Sequence, residues 1–205
     1  MKMRVASPSL LLLALTAVPA MAQTVYSNGP IGGNTDAWSL NFGFIVSDTF
    51  NVARNNTTIT GASFGIWLSP GDTFPSIGLS ITSGENGGTT YFDEAVNFTQ
   101  SNCSSNIFGF NVCTETAAFN GPTLNSGTYW LNLRGCSDPP IDCDQSFWDE
   151  NSGPSAASEN AAGSIPSESF TVLGTSGSTV PEPSGLVLFT SGFFCVAAVL
   201  RRKLF

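Results

Sequence analysis

The chain has 205 residues, enough for one ordinary domain between two terminal segments, and it contains no His. Between Gln23 and Val180 only Arg54 and Arg134 are basic, whereas fourteen residues are acidic. The composition excludes His-based catalysis, and two arginines cannot neutralise the phosphates that a nucleic-acid surface must contact.

The N-terminus has the composition of a secretory signal peptide. Lys2 and Arg4 precede an apolar run at residues 10–17, and small side chains before Gln23 offer a cleavage site after Ala22. As a helix, this run would be about 12 Å long, too short for the hydrocarbon core of a bilayer. We therefore expect signal peptidase to remove residues 1–22.

The segment that follows predicts strands. No charged helical period is sustained, whereas apolar and polar residues alternate over short stretches separated by turns rich in Gly, Pro and Asn. Because each strand must bury one face, we expect an all-β body at 23–173, an antiparallel β-sandwich of jelly-roll type. The predicted strands are 38–46, 59–68, 77–82, 89–98, 107–114, 128–133 and 169–173.

Two stretches near the end of this body are small and polar. Residues 151–169 are expected to form either a long surface loop or a disordered segment, and residues 174–179 a flexible linker.

Four cysteines lie in the body, an even number that suggests disulfides in an exported chain. Three pairings are possible, and we expect the near-neighbour one, Cys103 with Cys113 and Cys136 with Cys143. The alternative is a zinc site with four thiolate ligands, but the spacing lacks the close Cys-x-x-Cys pairs typical of one.

Three further features suggest binding or catalysis. Asp138, Asp142 and Asp144 form the densest acidic cluster and are a calcium candidate, with a solvated loop as the alternative. Adjacent acids at 93–94 and 149–150 are a remote candidate for glycoside hydrolysis, although neighbours on a strand face opposite sides. Aromatic residues could stack on a sugar or fill the core, namely Trp38, Trp67, Trp130, Trp148, Tyr91 and Tyr129.

The C-terminal segment 180–205 has three parts. Pro181, Glu182 and Pro183 come first, an uncharged apolar stretch follows at about 185–200, and a basic tail completes it. The apolar stretch is long enough for a single, short transmembrane helix of about 24 Å. The positive-inside rule keeps the tail in the cytoplasm and places the body outside. The tail consists of Arg201, Arg202 and Lys203.

This order of motif, apolar helix and basic cluster resembles the PEP-CTERM sorting signal of Gram-negative bacteria. The resemblance covers 180–205 only. It implies that Pro181, Glu182 and Pro183 are recognised by an exosortase, a membrane protease or transpeptidase that removes the tail after export across the inner membrane. It also implies an association with exopolysaccharide and biofilm matrix.

These observations together favour a non-enzymatic protein of the cell surface or extracellular matrix that needs no cofactor. The alternatives are a carbohydrate-binding module, with or without calcium, and, more remotely, a glycoside hydrolase.

Overall fold

The computed structural model describes residues 22–74, 76–135 and 144–176, which contain fourteen β-strands and no helix. Accordingly, none of these stretches includes a helix that could cross a membrane. The expected signal peptide and sorting tail lie outside the described residues. The same is true of Cys136, Asp138, Asp142 and Cys143.

The strands are, in chain order, β1 (Gln23–Ser27), β2 (Ala37–Ser39), β3 (Ile45–Val52), β4 (Thr57–Leu68), β5 (Ser76–Gly84), β6 (Gly87–Asn97), β7 (Thr99–Ser105), β8 (Asn111–Ala118), β9 (Thr123–Leu124), β10 (Gly127–Arg134), β11 (Ser146–Asp149), β12 (Ala157–Glu159), β13 (Gly163–Ile165) and β14 (Phe170–Ser176).

The first sheet is built around β4, its longest strand. Strands β14 and β11 pair with successive parts of one edge of β4, and β9 and β8 pair with the other edge. Strand β1 extends the sheet beyond β14, β2 extends it beyond β11, and β7 extends it beyond β8. All of these pairings are antiparallel.

The second sheet has the order β13-β12-β3-β10-β5-β6, again antiparallel throughout. Buried apolar side chains of both sheets form one core, so the expected all-β, sandwich-like body is confirmed. In β4 the inward positions are taken by Ala62, Phe64, Ile66 and Leu68, and in β3 by Val46, Phe50 and Val52. Burial of these side chains is the main force that holds the sheets together.

The predicted strand at 38–46 is wrong. The structure instead has two strands, β2 in the first sheet and β3 in the second, with a turn between them. Phe42 lies in this turn with φ of 61° and a side chain that is 68% exposed. The alternation continued through a turn that lets the chain cross between sheets, so the periodicity alone could not locate the break.

The stretch at 151–169 is neither disordered nor a plain loop. It contains β12 and β13, which form a hairpin added to the edge of β3. Ser158, Glu159 and Glu168 in this stretch are buried. The hairpin pairs with the edge of the second sheet largely through backbone hydrogen bonds. Its side chains are therefore small and polar, and they show no alternation of apolar residues from which the strands could be predicted.

The end of the body also differs from the prediction. Strand β14 pairs with β4 as far as Ser176, so Gly174, Thr175 and Ser176 belong to the strand and not to the linker. The predicted strand at 107–114 begins only at Asn111, since Ile107 and Phe108 form the tip of the β7–β8 hairpin.

Candidate functional site

The main concentration of buried polar groups among the described residues lies between the sheets. Asp48 occupies an inward position of β3, between the core residues Val46 and Phe50. One carboxylate oxygen accepts a hydrogen bond from the amide of Glu168 at 2.8 Å, and the other from the amide of Thr49 at 2.6 Å. Loss of hydration outweighs these bonds and raises the pKa of Asp48 to about 6.

Asn28, which follows β1, connects this carboxylate to the first sheet. Its fully buried amide nitrogen donates to the Asp48 carboxylate at 3.3 Å and to the carbonyl of Glu168 at 2.6 Å. Its side-chain oxygen accepts from the Tyr26 hydroxyl at 2.9 Å and from the amide of Ser155 at 3.3 Å. Buried polar groups that are satisfied in this way fix a single arrangement of the chain segments that carry them.

Asp149, the last residue of β11, has a different role. Its carboxylate accepts hydrogen bonds from the amides of Gly32 and Gly33, both at 2.8 Å, and from the indole nitrogen of Trp67 at 2.7 Å. The side chain is fully buried, and three donors hold the loop after β1 against the outer face of β4. Asp149 is therefore a structural anchor whose oxygens are already occupied.

Glu150 and Glu168 form an isolated antiparallel bridge that places them directly opposite each other. Glu168 has no exposed surface, and neither of its carboxylate oxygens has a hydrogen-bond partner among the described residues. Burial, and then the charges of Asp48, Glu150, Asp149 and Asp36, raise the pKa of Glu168 well above its usual range. Burial also raises the pKa of Glu150.

A cleft of about 450 Å³ adjoins this pair. Its walls are formed by parts of residues 27–35 and by residues 150–154, and Glu150 is the acid that lines it. Within the described ranges, no three acidic or cysteine side chains are arranged to hold a metal ion. The chemistry that this arrangement supports is gain and loss of a proton by carboxyl groups, of which Asp48 and Glu168 are fully buried and Glu150 is half-buried.

A second buried acid whose carboxylate has no hydrogen-bond partner among the described residues lies elsewhere in the core. Glu115 of β8 has no exposed surface and pairs with Phe64 on one side and Gln100 on the other. Its carboxylate oxygens have no hydrogen-bond partner in the described parts of the chain. Burial raises its pKa to about 7.

Most of the aromatic residues considered for sugar stacking are buried in the core or pack against it. Trp148 is fully buried, and Trp67 is nearly so beneath the stacked ring of Phe108, 5.5 Å away between centroids. Trp38 and Tyr129 pack against the core, and Tyr91 contacts Tyr129 edge to face. Trp130 is half-buried.

An exposed aromatic side chain that the sequence analysis did not consider is Phe108, which is 52% exposed. It lies at the tip of the β7–β8 hairpin beside Ile107, which is also exposed. A groove of about 190 Å³ runs between this hairpin and the loop after β1, and Asn34 and Asn102 are among its polar lining residues. Phe108 does not itself line this groove, but the groove's amides and the exposed ring at the hairpin tip are both groups that contact sugars.

The remaining predicted site residues are only partly described. Cys103 and Cys113 form a disulfide across β7 and β8, with the sulfurs 2.07 Å apart, as the near-neighbour pairing expected. Of the calcium candidates, only Asp144 is described, and its carboxylate accepts the amide of Thr73 at 2.8 Å. Asp138 and Asp142 lie outside the described residues.

The two pairs of adjacent acids do not converge. Asp93 forms an ion pair with Arg134 on the outer face of the second sheet, and Glu94 points to the other side. Asp149 is bound to backbone amides, whereas Glu150 faces Glu168. Neither adjacent pair therefore presents two carboxyl groups to one cleft.

Sequence reasoning missed Asp48, Glu115 and Glu168. For the first two a signal exists, because each occupies an inward position within an alternating strand. A charged residue at an apolar phase of a strand marks a buried acid. Glu168 has no comparable signal, since it lies in a short polar stretch whose partner strand is distant in sequence.

No protein-family model matches the chain, and comparison with curated proteins yields no significant match.

Proposed function

We propose that the protein is a non-enzymatic, exported β-sandwich protein that a C-terminal sorting tail delivers to the cell surface or extracellular matrix. The observation that carries this proposal is the order of the tail: Pro181-Glu182-Pro183, an uncharged stretch at about 185–200, and then Arg201, Arg202 and Lys203. The signal peptide at 1–22 brings the chain to the membrane, and the tail holds it there until processing.

Two properties of the body support export. A cross-strand disulfide joins Cys103 and Cys113, and disulfides persist in oxidising compartments outside the cytoplasm. The acidic segment between Gln23 and Val180 gives the body a strong negative charge, which favours solubility and repels other polyanions. The body at 23–173 has no role in targeting on this account.

The experiment replaces the motif with Pro181→Ala, Glu182→Ala and Pro183→Ala and follows the protein by cell fractionation and intact mass. The proposal predicts that uncleaved chain accumulates in the inner membrane, because the processing enzyme no longer recognises the tail. A matched control changes Ser178→Ala and Thr179→Ala, just before the motif, and should be processed normally. Normal processing of the motif variant would contradict the proposal.

A second candidate function, binding of a polysaccharide, is favoured by the exposed ring of Phe108 and by the groove that Asn34 and Asn102 line. A sugar could stack on the exposed ring while the amides of Asn34 and Asn102 contact its hydroxyls. Phe108→Leu keeps an apolar side chain without the ring, and Ile107→Ala is the control at the same hairpin tip. Glycan-array binding that Phe108→Leu abolishes and Ile107→Ala retains would support this function, and binding that is absent in the unchanged protein would exclude it.

A further inference from the structure

The Glu150–Glu168 bridge joins the two ends of a segment, residues 151–167, that leaves the first sheet and returns to it. The chain leaves the first sheet after Glu150 and returns at Glu168, and residues 151–167 between them contain the β12–β13 hairpin. We define residues 150–153 and 166–169 as the neck of this segment. Whether the neck stays closed determines how firmly one wall of the adjoining cleft is held.

Backbone hydrogen bonds hold the neck on either side of the bridge. The amide of Asn151 donates to the carbonyl of Ser167 at 2.8 Å, and the amide of Ser169 donates to the carbonyl of Asp149 at 2.7 Å. This pattern makes the bridge between them a non-hydrogen-bonded pair, in which the two side chains approach most closely. Two like charges at such a position oppose pairing.

Every titratable group around Glu168 is acidic or neutral. The charges that act on it are those of Asp48 of β3, Glu150 opposite it, Asp149 at the end of β11 and Asp36 before β2. The Tyr26 hydroxyl belongs to the same network through Asn28. Among the described residues, the basic side chains are elsewhere, since Arg134 pairs with Asp93 and Arg54 lines a cleft with Gln23 and Ser176.

We propose that the Glu150–Glu168 pair is a proton-operated clamp: the neck is closed while Glu168 carries a proton, and it opens when Glu168 ionises. A buried carboxyl group with no bonded partner is far less costly neutral than charged. Ionisation opposite Glu150 adds repulsion with no cation to offset it. The opening loosens the wall of the cleft formed by residues 150–154 and leaves the core of the sandwich in place.

The test is hydrogen exchange measured by mass spectrometry on the protein purified from its cells, in steps from pH 5 to pH 10, with rates corrected for intrinsic exchange. Neck protection that stays constant over this whole range in the unchanged protein would overturn the proposal. Above the pKa of Glu168, protection of the neck should fall by up to about tenfold per pH unit. Glu168→Gln, which mimics the protonated form, should keep the neck protected at every pH in the series. The same pH-dependent loss in Glu168→Gln as in the unchanged protein would overturn the proposal.

Three comparisons make the result specific. Glu115→Gln removes the other unpartnered buried acid and should leave the pH dependence of the neck unchanged; its disappearance in that variant would assign the effect to general unfolding and overturn the clamp. Glu150→Gln removes the opposing charge at a half-buried position, so it should reduce the loss of protection even if Glu168→Gln fails to fold. Restoration of protection at pH 8 by a few millimolar Ca²⁺ would assign a cation site in place of a proton.

Discussion

The carboxylate of Asp48 in one sheet accepts a hydrogen bond of 2.8 Å from the backbone amide of Glu168, which leads into the other sheet. This single bond joins β3 to the start of β14 through the middle of the sandwich. Two apolar side chains at positions 48 and 168 would pack together, but they would not fix the path by which the chain enters β14. The bond therefore helps to fix where the chain returns to the sheet after residues 151–167, and it requires a buried carboxyl group with a raised pKa.

The first prediction concerns stability and pH. Burial raises the pKa of Asp48 to about 6 and that of Glu115 to about 7, above the usual range of each group. The folded state therefore binds protons more tightly than the unfolded state. Its free energy of unfolding should be greatest near pH 4 and should fall as the pH rises through 6 and 7, by about 1.4 kcal/mol for each unit of pKa shift. Urea titrations between pH 4 and 8 measure this slope.

Glu115→Gln separates the contribution of Glu115 from the rest. At pH 8 the variant should be more stable than the unchanged protein by about 1–3 kcal/mol, because no charge is then buried beside Phe64. The control is Glu94→Gln, an exposed carboxyl group on β6, which should change stability little. A destabilised Glu115→Gln at pH 8 would mean that the ionised carboxylate has partners in solution.

The second prediction concerns the anchor at Asp149. Asp149→Ala should reduce the free energy of unfolding by about 3–5 kcal/mol, since it leaves buried amide and indole donors without an acceptor. Asp144→Ala, which removes an acceptor for only one described amide at a partly exposed site, should cost about 1 kcal/mol. Urea unfolding followed by tryptophan fluorescence compares the two. Equal effects would show that the three donors to Asp149 find other partners.

The third prediction concerns the disulfide. Replacing Cys103 and Cys113 together by Ala should cost about 3 kcal/mol, the value expected from loss of a cross-link that closes a loop of this length. A non-reducing peptide map of the unchanged protein should show Cys103 joined to Cys113, and we expect Cys136 joined to Cys143. Any cross-pairing between these two sets would contradict the assignment.

The fourth prediction concerns the turn between β2 and β3. Phe42 has a positive φ of 61° and an exposed ring, so it carries the steric cost of the left-handed conformation with little burial in return. Phe42→Gly relieves this cost and should raise the free energy of unfolding by about 0.5–1 kcal/mol. Phe44→Gly, two residues away with no positive φ, should not be stabilising. If both variants lose stability equally, the Phe42 ring contributes packing that its exposure does not suggest.

Alternation of apolar and polar residues predicts a strand only where one face of that strand is buried, and this explains which strands were predicted correctly. It identified β4 at 59–68 and β10 at 128–133, because buried apolar residues recur along most of each strand. It failed at 38–46, where apolar residues continue through a turn that carries the chain from one sheet to the other. It also missed β1 and β12, whose positions depend on pairing with distant strands and not on their own side chains.

The candidate site was hidden from the sequence for a related reason. The adjacent acids at 149–150 were noted as a pair, but the meaningful partner of Glu150 is Glu168, and only the fold brings the two together. The proposed sorting tail is the opposite case. Its motif, apolar stretch and basic cluster are contiguous, so all three parts can be predicted from the sequence alone.

The central claim is that the body is exported and freed from its C-terminal tail. The most direct measurement is intact mass combined with fractionation of the protein from its own cells. The account predicts a mass that corresponds to a chain from Gln23 to the region of Pro181-Glu182-Pro183, recovered outside the inner membrane. A mass that still includes Phe205, recovered in the inner membrane, would contradict it and would make the protein a permanently anchored ectodomain.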